Sequence, residues 1–393
     1  MQKAGTITMS ALMLTFMQLA SGAPKEVKIN CSQGKTISDA LDKLDDSSKD
    51  YILSVSGVCN ENVLIGDFQG NSLVLQGDPT ATINGVVNSP FGMPVVQLAN
   101  SRQIVVQNLT INVNGTPLTG NQAGIAVTIC SNCNIRNVTV STATSGITFA
   151  YSQGSVLTST VNFPGTGGAG IVISSSSDVT LGAVQVHGPG GLTPPATGIL
   201  VDQGATGRLV LASGAPNPTV NGFSTGILVH NNSFFYASTV CTSPTSACGN
   251  ITGNSQGIRI IGARAFLNGL NVNANPEAGI FLGTGAEAEI YGPFAITNTT
   301  SGIGLAVSHN SHAAVIGNGL GVTISGTPVA GQPPSVSVGT VSSVRFDAPG
   351  TTTVAGFLAC DALSAITGTT FVTAPAGNYH CSNLNTGSTP LPQ

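Results

Sequence analysis

Asp202 and His230 are the ionisable residues of this chain whose spacing best suits joint chemistry. Each stands four residues after the glycine of a Gly-Ile dipeptide, Gly198 and Gly226. A repeating element marked by that dipeptide places them in equivalent positions on adjacent repeats, about 5 Å apart. Arg259 stands two residues after the next such glycine, Gly257, on the same parity. A carboxylate that orients an imidazole, with a guanidinium nearby, can polarise or deprotonate a hydroxyl, which is general acid–base work. The alternative is a solvated surface row with no chemical role.

Other groups have weaker spacing. Glu287 and Glu289 flank Ala288 and, with Glu277, form the acidic cluster of the middle of the chain. On a strand the first two face one way, about 6.5–7 Å apart. That separation falls within the range used by carboxyl pairs that hydrolyse glycosidic bonds, but a solvated edge is the competing reading. His309 and His312 have a metal-ligand spacing with no carboxylate or thiol adjoining them, so neither a metal nor a cofactor is expected. Tyr151, Phe234, Phe235 and Tyr236 either stack on sugars or fill a core.

The element that must position all of these is a repeat. Gly-Ile recurs at Gly124, Gly146, Gly170, Gly198, Gly226, Gly257, Gly279 and Gly302, about 22 to 31 residues apart. The third residue after each glycine is also apolar: Val127, Phe149, Ile173, Val201, Val229, Ile260, Leu282 and Leu305. Positions two and four are mixed. This is the period-two alternation of a strand with one buried face. A second apolar cluster follows each, such as Ile135, Val138 and Val140, or Phe266, Leu267, Leu270 and Val272. Turn-forming Ser, Asn, Thr and Gly lie between. Asn108 and Asn137 are expected at such turns, with their amides stacked from coil to coil.

A unit of two or three short strands cannot bury its apolar face alone, and stacking copies can. The predicted fold class is all-β, a right-handed parallel β-helix of about eleven or twelve coils. The stretch Thr36–Leu44 reads as an amphipathic helix capping the first coil, with Ile37, Ala40, Leu41 and Leu44 on one stripe. The coil pattern fades near Gly331-Gln332-Pro333-Pro334. The expected divisions are 1–22, 23–335 as the β-helix, and 336–393 as a β-rich C-terminal cap. Charged residues are 7% and hydrophobic ones 41%, with a formal charge of −4. That balance excludes a disordered chain and gives no nucleic-acid signature.

Residues 1–22 read as a secretory signal: Lys3, an apolar run from Ile7 to Leu19, then Ala20-Ser21-Gly22. The mature protein is expected to be secreted, extracellular or periplasmic, with no membrane span. Eight cysteines follow, an even count that favours disulfides in an exported chain. Proximity pairs Cys31 with Cys59, Cys241 with Cys248, and Cys360 with Cys381. Cys130 and Cys133 lie within one turn, as a disulfide or as a redox or metal pair.

The segments Thr36-Ile37-Ser38-Asp39-Ala40-Leu41, Tyr51-Ile52-Leu53-Ser54-Val55, Gly57-Val58-Cys59-Asn60-Glu61-Asn62-Val63 and Leu73-Val74-Leu75-Gln76-Gly77-Asp78 resemble the opening of pectin methylesterases. Ile104-Val105-Val106-Gln107-Asn108-Leu109-Thr110-Ile111 is similar to the general repeat of the pectin-lyase-like superfamily. The resemblance covers most of residues 27–330 and implies the β-helix fold. It does not imply one activity, because this fold hosts esterases, lyases, hydrolases and epimerases. The paired Asp, Arg and Gln of the methylesterases have no counterparts here. Of the polygalacturonase motifs, only Gly257-Ile258-Arg259-Ile260 is partly similar to an Arg-Ile-Lys element. After Asp78 acidic residues are few and lysine is absent, which leaves no calcium site of the pectate-lyase kind.

Two functions fit. One is a non-catalytic extracellular module that binds polysaccharide or a protein partner through an outer apolar face containing Leu200, Leu228 and Phe281. The other is a carbohydrate-active enzyme (polysaccharide lyase, hydrolase or esterase) acting through Asp202, His230 and Arg259.

Overall fold

The computed structural model describes residues 23–385 apart from 45–48, 69, 87–91, 114–122, 143, 164–166, 191–195, 211–215, 239–248, 298–301, 318–320, 326–333, 348–351, 356–357, 362, 369–370, 374–378 and 381–383. The expected signal, residues 1–22, lies outside that set, as do Cys241, Cys248 and Cys381.

Through the middle of the chain each coil contains three short strands, while in the first coils one long strand, such as Asp50–Asn60 or Ser72–Asn84, takes the place of two. Ser145–Ala150, Gln153–Leu157 and Thr160–Asn162 make one coil, and Gly168–Ser174, Asp178–Gly182 and Gln185–His187 make the next. Every strand pairs in parallel with its equivalent one coil on. The first strands of the coils form a 13-stranded sheet, and the other two sets form a 25-stranded sheet. The chain is therefore a parallel β-helix.

The aliphatic columns predicted from the repeat line its inside. Ile125, Ile147, Ile171, Ile199, Ile227, Ile258 and Ile280 are fully buried, and so are Val127, Phe149, Ile173, Val201, Val229, Ile260 and Leu282. Each such side chain contributes about 1.5–3 kcal/mol by leaving water. Phe266 departs from the expected inward cluster. It points outward and is half-buried, while Leu267 beside it is core.

The repeat glycine has its own cause. A Cβ added to Gly226 would stand 2.6 Å from the carbonyl oxygen of Gly257, and one on Gly257 would stand 2.5 Å from that of Gly279. The column needs hydrogen at this corner because successive backbones pass too closely for a methyl group. Its eighth member is Gly304, not Gly302. Ala278 pairs with Ile303 and Ile280 with Leu305, so the dipeptide at Gly302 is offset by two residues. Ile303 is accordingly only half-buried, while Leu305 and Val307 are core.

Polar ladders hold the turns. Ser152 Oγ donates to the Ala150 carbonyl (2.8 Å) and accepts from the Cys130 amide (3.0 Å). Ser177 Oγ accepts from the Ser152 amide in turn (3.1 Å). Asn108 and Asn137 stack as expected, both at positive φ, with Asn137 Nδ2 donating to Asn108 Oδ1 at 2.9 Å.

At the N-terminal end the helix is shorter than the sequence predicts, Ile37–Leu41. Thr36 Oγ1 accepts from the Asp39 amide, and the Glu61 carboxylate accepts from the amides of Ile37 and Ser38. Parallel pairing runs past residue 335. Val336–Val338 joins Ile303–Val307 to Leu358–Cys360, and Ala365–Gly368 pairs with Leu384–Asn385. Cys31 is bonded to Cys59 and Cys130 to Cys133, and Cys360 is also in a disulfide. No helix among the described residues is long and apolar enough to cross a membrane.

Candidate functional site

Two outer faces carry the polar side chains of interest. On the 13-stranded sheet, pairing of Val201 with Val229 brings Asp202 beside His230, as the spacing predicts. His230 Nδ1 lies 3.4 Å from Asp202 Oδ1, with both side chains largely buried. That oxygen already accepts from the Gln203 amide (2.6 Å) and from Asn231 Nδ2 (2.8 Å). Asp202 thus ties its own turn together, and the imidazole is a third and longer contact.

Arg259 is not opposite His230, whose strand partner is Ile261. It sits in the neighbouring column Val172, Leu200, Leu228, Arg259, Phe281. Its guanidinium lies over the Phe281 ring, 5.5 Å from the centroid, a cation–π contact. Its Nε is buried with no hydrogen-bond partner among the described residues. Leu200, Leu228 and Phe281 are half-buried, and Arg259 interrupts the apolar strip they form.

The leading strands of the larger sheet present a different face. Phe234–Ser238, Arg264–Asn268, Glu287–Tyr291, His312–Ile316, Ser343–Asp347 and Ala365–Gly368 pair in parallel, one per coil. One outward column reads Phe234, Arg264, Glu287, His312, Ser343; the next reads Tyr236, Phe266, Glu289, Ala314, Arg345, Thr367. A groove of about 590 Å³ runs along them, from Phe234 to Thr367. Five coil steps give it a length of about 24 Å. Ala314, small between Glu289 and Arg345, lowers its floor.

The groove's charges are ordered. Arg264 Nε meets Glu287 Oε2 at 2.9 Å, and Arg345 Nε meets Asp347 Oδ2 at 2.7 Å. Glu289 Oε2 accepts from the Tyr291 hydroxyl at 3.1 Å. His312 Nδ1 lies 2.8 Å from Ser343 Oγ. Tyr236, Phe266 and Tyr291 stack face to face, with centroids 4.9 and 4.7 Å apart. Phe266 therefore presents no free ring face. Phe234 remains 38% exposed at the groove's end, and Phe235 is core.

Burial pushes the Tyr291 phenol above the usual tyrosine value, and the hydrogen bond to Glu289 and its charge push it the same way. A spectrophotometric titration of Glu289→Gln is expected to move this phenol down toward about 10. An unmoved titration would break the assigned contact.

The structure thus gathers the Glu287/Glu289 pair with His312 and Phe234, which sequence reasoning had considered apart from it, and adds Arg264, Ser343 and Arg345, which it missed, and Phe266, which it had placed inside. Glu277 belongs elsewhere, on the other sheet's side, where it accepts from Gln256 Nε2. His309 Nδ1 lies 2.9 Å from Ser308 Oγ, whereas the contact of His312 Nδ1 is with Ser343. Among the described residues one group has metal-ligand spacing, Cys31, Cys59 and Glu61, and its two sulfurs are bonded to each other.

No protein-family model and no curated protein matches the chain. Among solved structures it is similar to a pectin methylesterase in complex with a hexasaccharide, at 14% identity and a TM-score of 0.33, over 75% of this chain and 80% of that one. It is similar to the A-module of a mannuronan C-5 epimerase from Azotobacter vinelandii at 12% and 0.39, over 86% and 91%. It is also similar to an alginate lyase from Paenibacillus at 11% and 0.24, over 92% and 99%. By the parallel pairing of its own strands from coil to coil, the chain has a parallel β-helix architecture.

Proposed function

We propose that this is a secreted, right-handed β-helix, closed at its N-terminal end by the short helix, that binds polysaccharide in the groove between Phe234 and Thr367. The groove carries this reading. It is long, open to solvent, and lined by carboxylates, arginines, a histidine and a serine beside one exposed ring. That mixture suits a ligand with many hydroxyls and an apolar ring face. The oxidised cysteines support export.

A second reading, a carbohydrate-active enzyme, is favoured by the 3.4 Å approach of His230 to Asp202, with Arg259 on the diagonal. One experiment separates the two. Purified protein is incubated with plant, algal and bacterial polysaccharides, and both retention and new reducing ends or unsaturated uronates are measured. Retention without turnover is expected, and His230→Ala is expected to leave retention unchanged. Turnover that vanishes in His230→Ala would establish the enzyme reading; no retention on any glycan would end the groove reading.

A further inference from the structure

Resting on the groove as a glycan site, we infer that its ligand is a neutral, hydroxyl-rich glycan and not a polyuronate. The groove and its rim hold two cations, Arg264 and Arg345, against three carboxylates, Glu287, Glu289 and Asp347. Both arginines are already paired, Arg264 with Glu287 and Arg345 with Asp347. A uronate reaching Arg264 would lie against Glu287, its strand partner on the next coil, with Glu289 two residues along the same strand. At Arg345 it would meet Asp347. Like charges at such spacing oppose binding.

Hydroxyl groups meet no such opposition. A carboxylate only accepts hydrogen bonds, and a sugar hydroxyl donates. Among the described residues Glu289 has one hydrogen bond, from Tyr291, which leaves lone pairs on both oxygens. Glu287 and Glu289 are both exposed on their strand. His312 and Ser343 extend the polar column by one coil each. Phe234 offers a partly exposed ring at the end of the row, the place for an apolar sugar face.

The test is calorimetric titration of the full chain with neutral hexasaccharides (gluco-, manno- and xylo-) and with hexauronates, at about 50 and 500 mM salt. A neutral hexasaccharide is expected to bind with affinity unchanged within about twofold by salt, since no net charge is neutralised. The double variant Glu287→Gln, Glu289→Gln is expected to weaken it by about tenfold or more, the loss of charged acceptors. These positions are solvent-facing, so the fold should survive, and circular dichroism verifies that. Tighter binding of hexauronates would overturn the neutral assignment and leave the glycan reading standing. Unchanged binding by the double variant would place the ligand elsewhere and overturn the assignment to this groove. Binding of neither class would overturn the glycan reading itself.

Discussion

Gly146→Val is expected to destabilise the coils around it by about 4 kcal/mol or more, among the severest effects a single substitution produces. A Cβ at this position would stand 2.2 Å from the Gly170 carbonyl oxygen and 2.5 Å from Val161 Cγ1. Neither neighbour can retreat cheaply. The Gly170 backbone lies within a paired strand whose Ile171 is opposite Ile147, and Val161 is core. Valine adds two further carbons to the same clash. Because neighbouring coils support one another, the loss should spread beyond the mutated turn. Urea unfolding followed by circular dichroism measures it. A midpoint equal to that of the wild type would refute the close-approach account of the whole glycine column.

Asn254→Leu is the polar counterpart. Asn254 is fully buried, and its Oδ1 accepts from the Phe223 amide at 3.1 Å. Its Nδ2 donates to the carbonyls of Val220 (3.1 Å) and Thr252 (3.3 Å). Its own amide donates to Asn275 Oδ1 of the next coil at 3.0 Å. Leucine has a similar size and keeps that last bond, but takes this partner from the Phe223 amide and from the carbonyls of Val220 and Thr252. Each unsatisfied group costs about 1–3 kcal/mol, so a loss of about 3 kcal/mol is expected. Hydrogen exchange gives a local readout, because the Phe223 amide should exchange faster in the variant than in the wild type. Unaltered exchange there would mean that the side chain is not what protects it.

Legibility followed the chemistry of each element. The aliphatic ladder was readable because a buried strand face has period two and a solenoid repeats it. Seven of the eight marked glycines stand in one column for that reason. The slip at Gly302 has a plain cause. A second Gly-x dipeptide, Gly304-Leu305, follows two residues later, and only the fit against Gly279 decides between them. The pairing of Asp202 with His230 was readable because both hang from the same ruler. Arg259, grouped with that pair by parity alone, stands instead in the neighbouring apolar column against Phe281, a contact the linear chain does not show.

The groove escaped the same reading. Its residues come from six coils whose connections differ in length, so no constant sequence interval joins Arg264, Glu287, His312 and Arg345. A signal did exist. Aligning the inward pairs Phe235/Ala237, Ala265/Leu267, Ala288/Ile290, Ala313/Val315 and Val344/Phe346 puts the outward residues into columns.

The amino-acid order by itself determined the coil, its buried face and the turn residues, because alternation and turn preference are local properties that each repeat states anew. Tertiary structure alone decided which outward side chains stand together and which charges neutralise one another. It also decided where a small residue lowers the surface into a groove. Those outcomes depend on the stacking register between coils, which backbone contact at the glycine corners sets, and which loops of unequal length conceal in the linear chain.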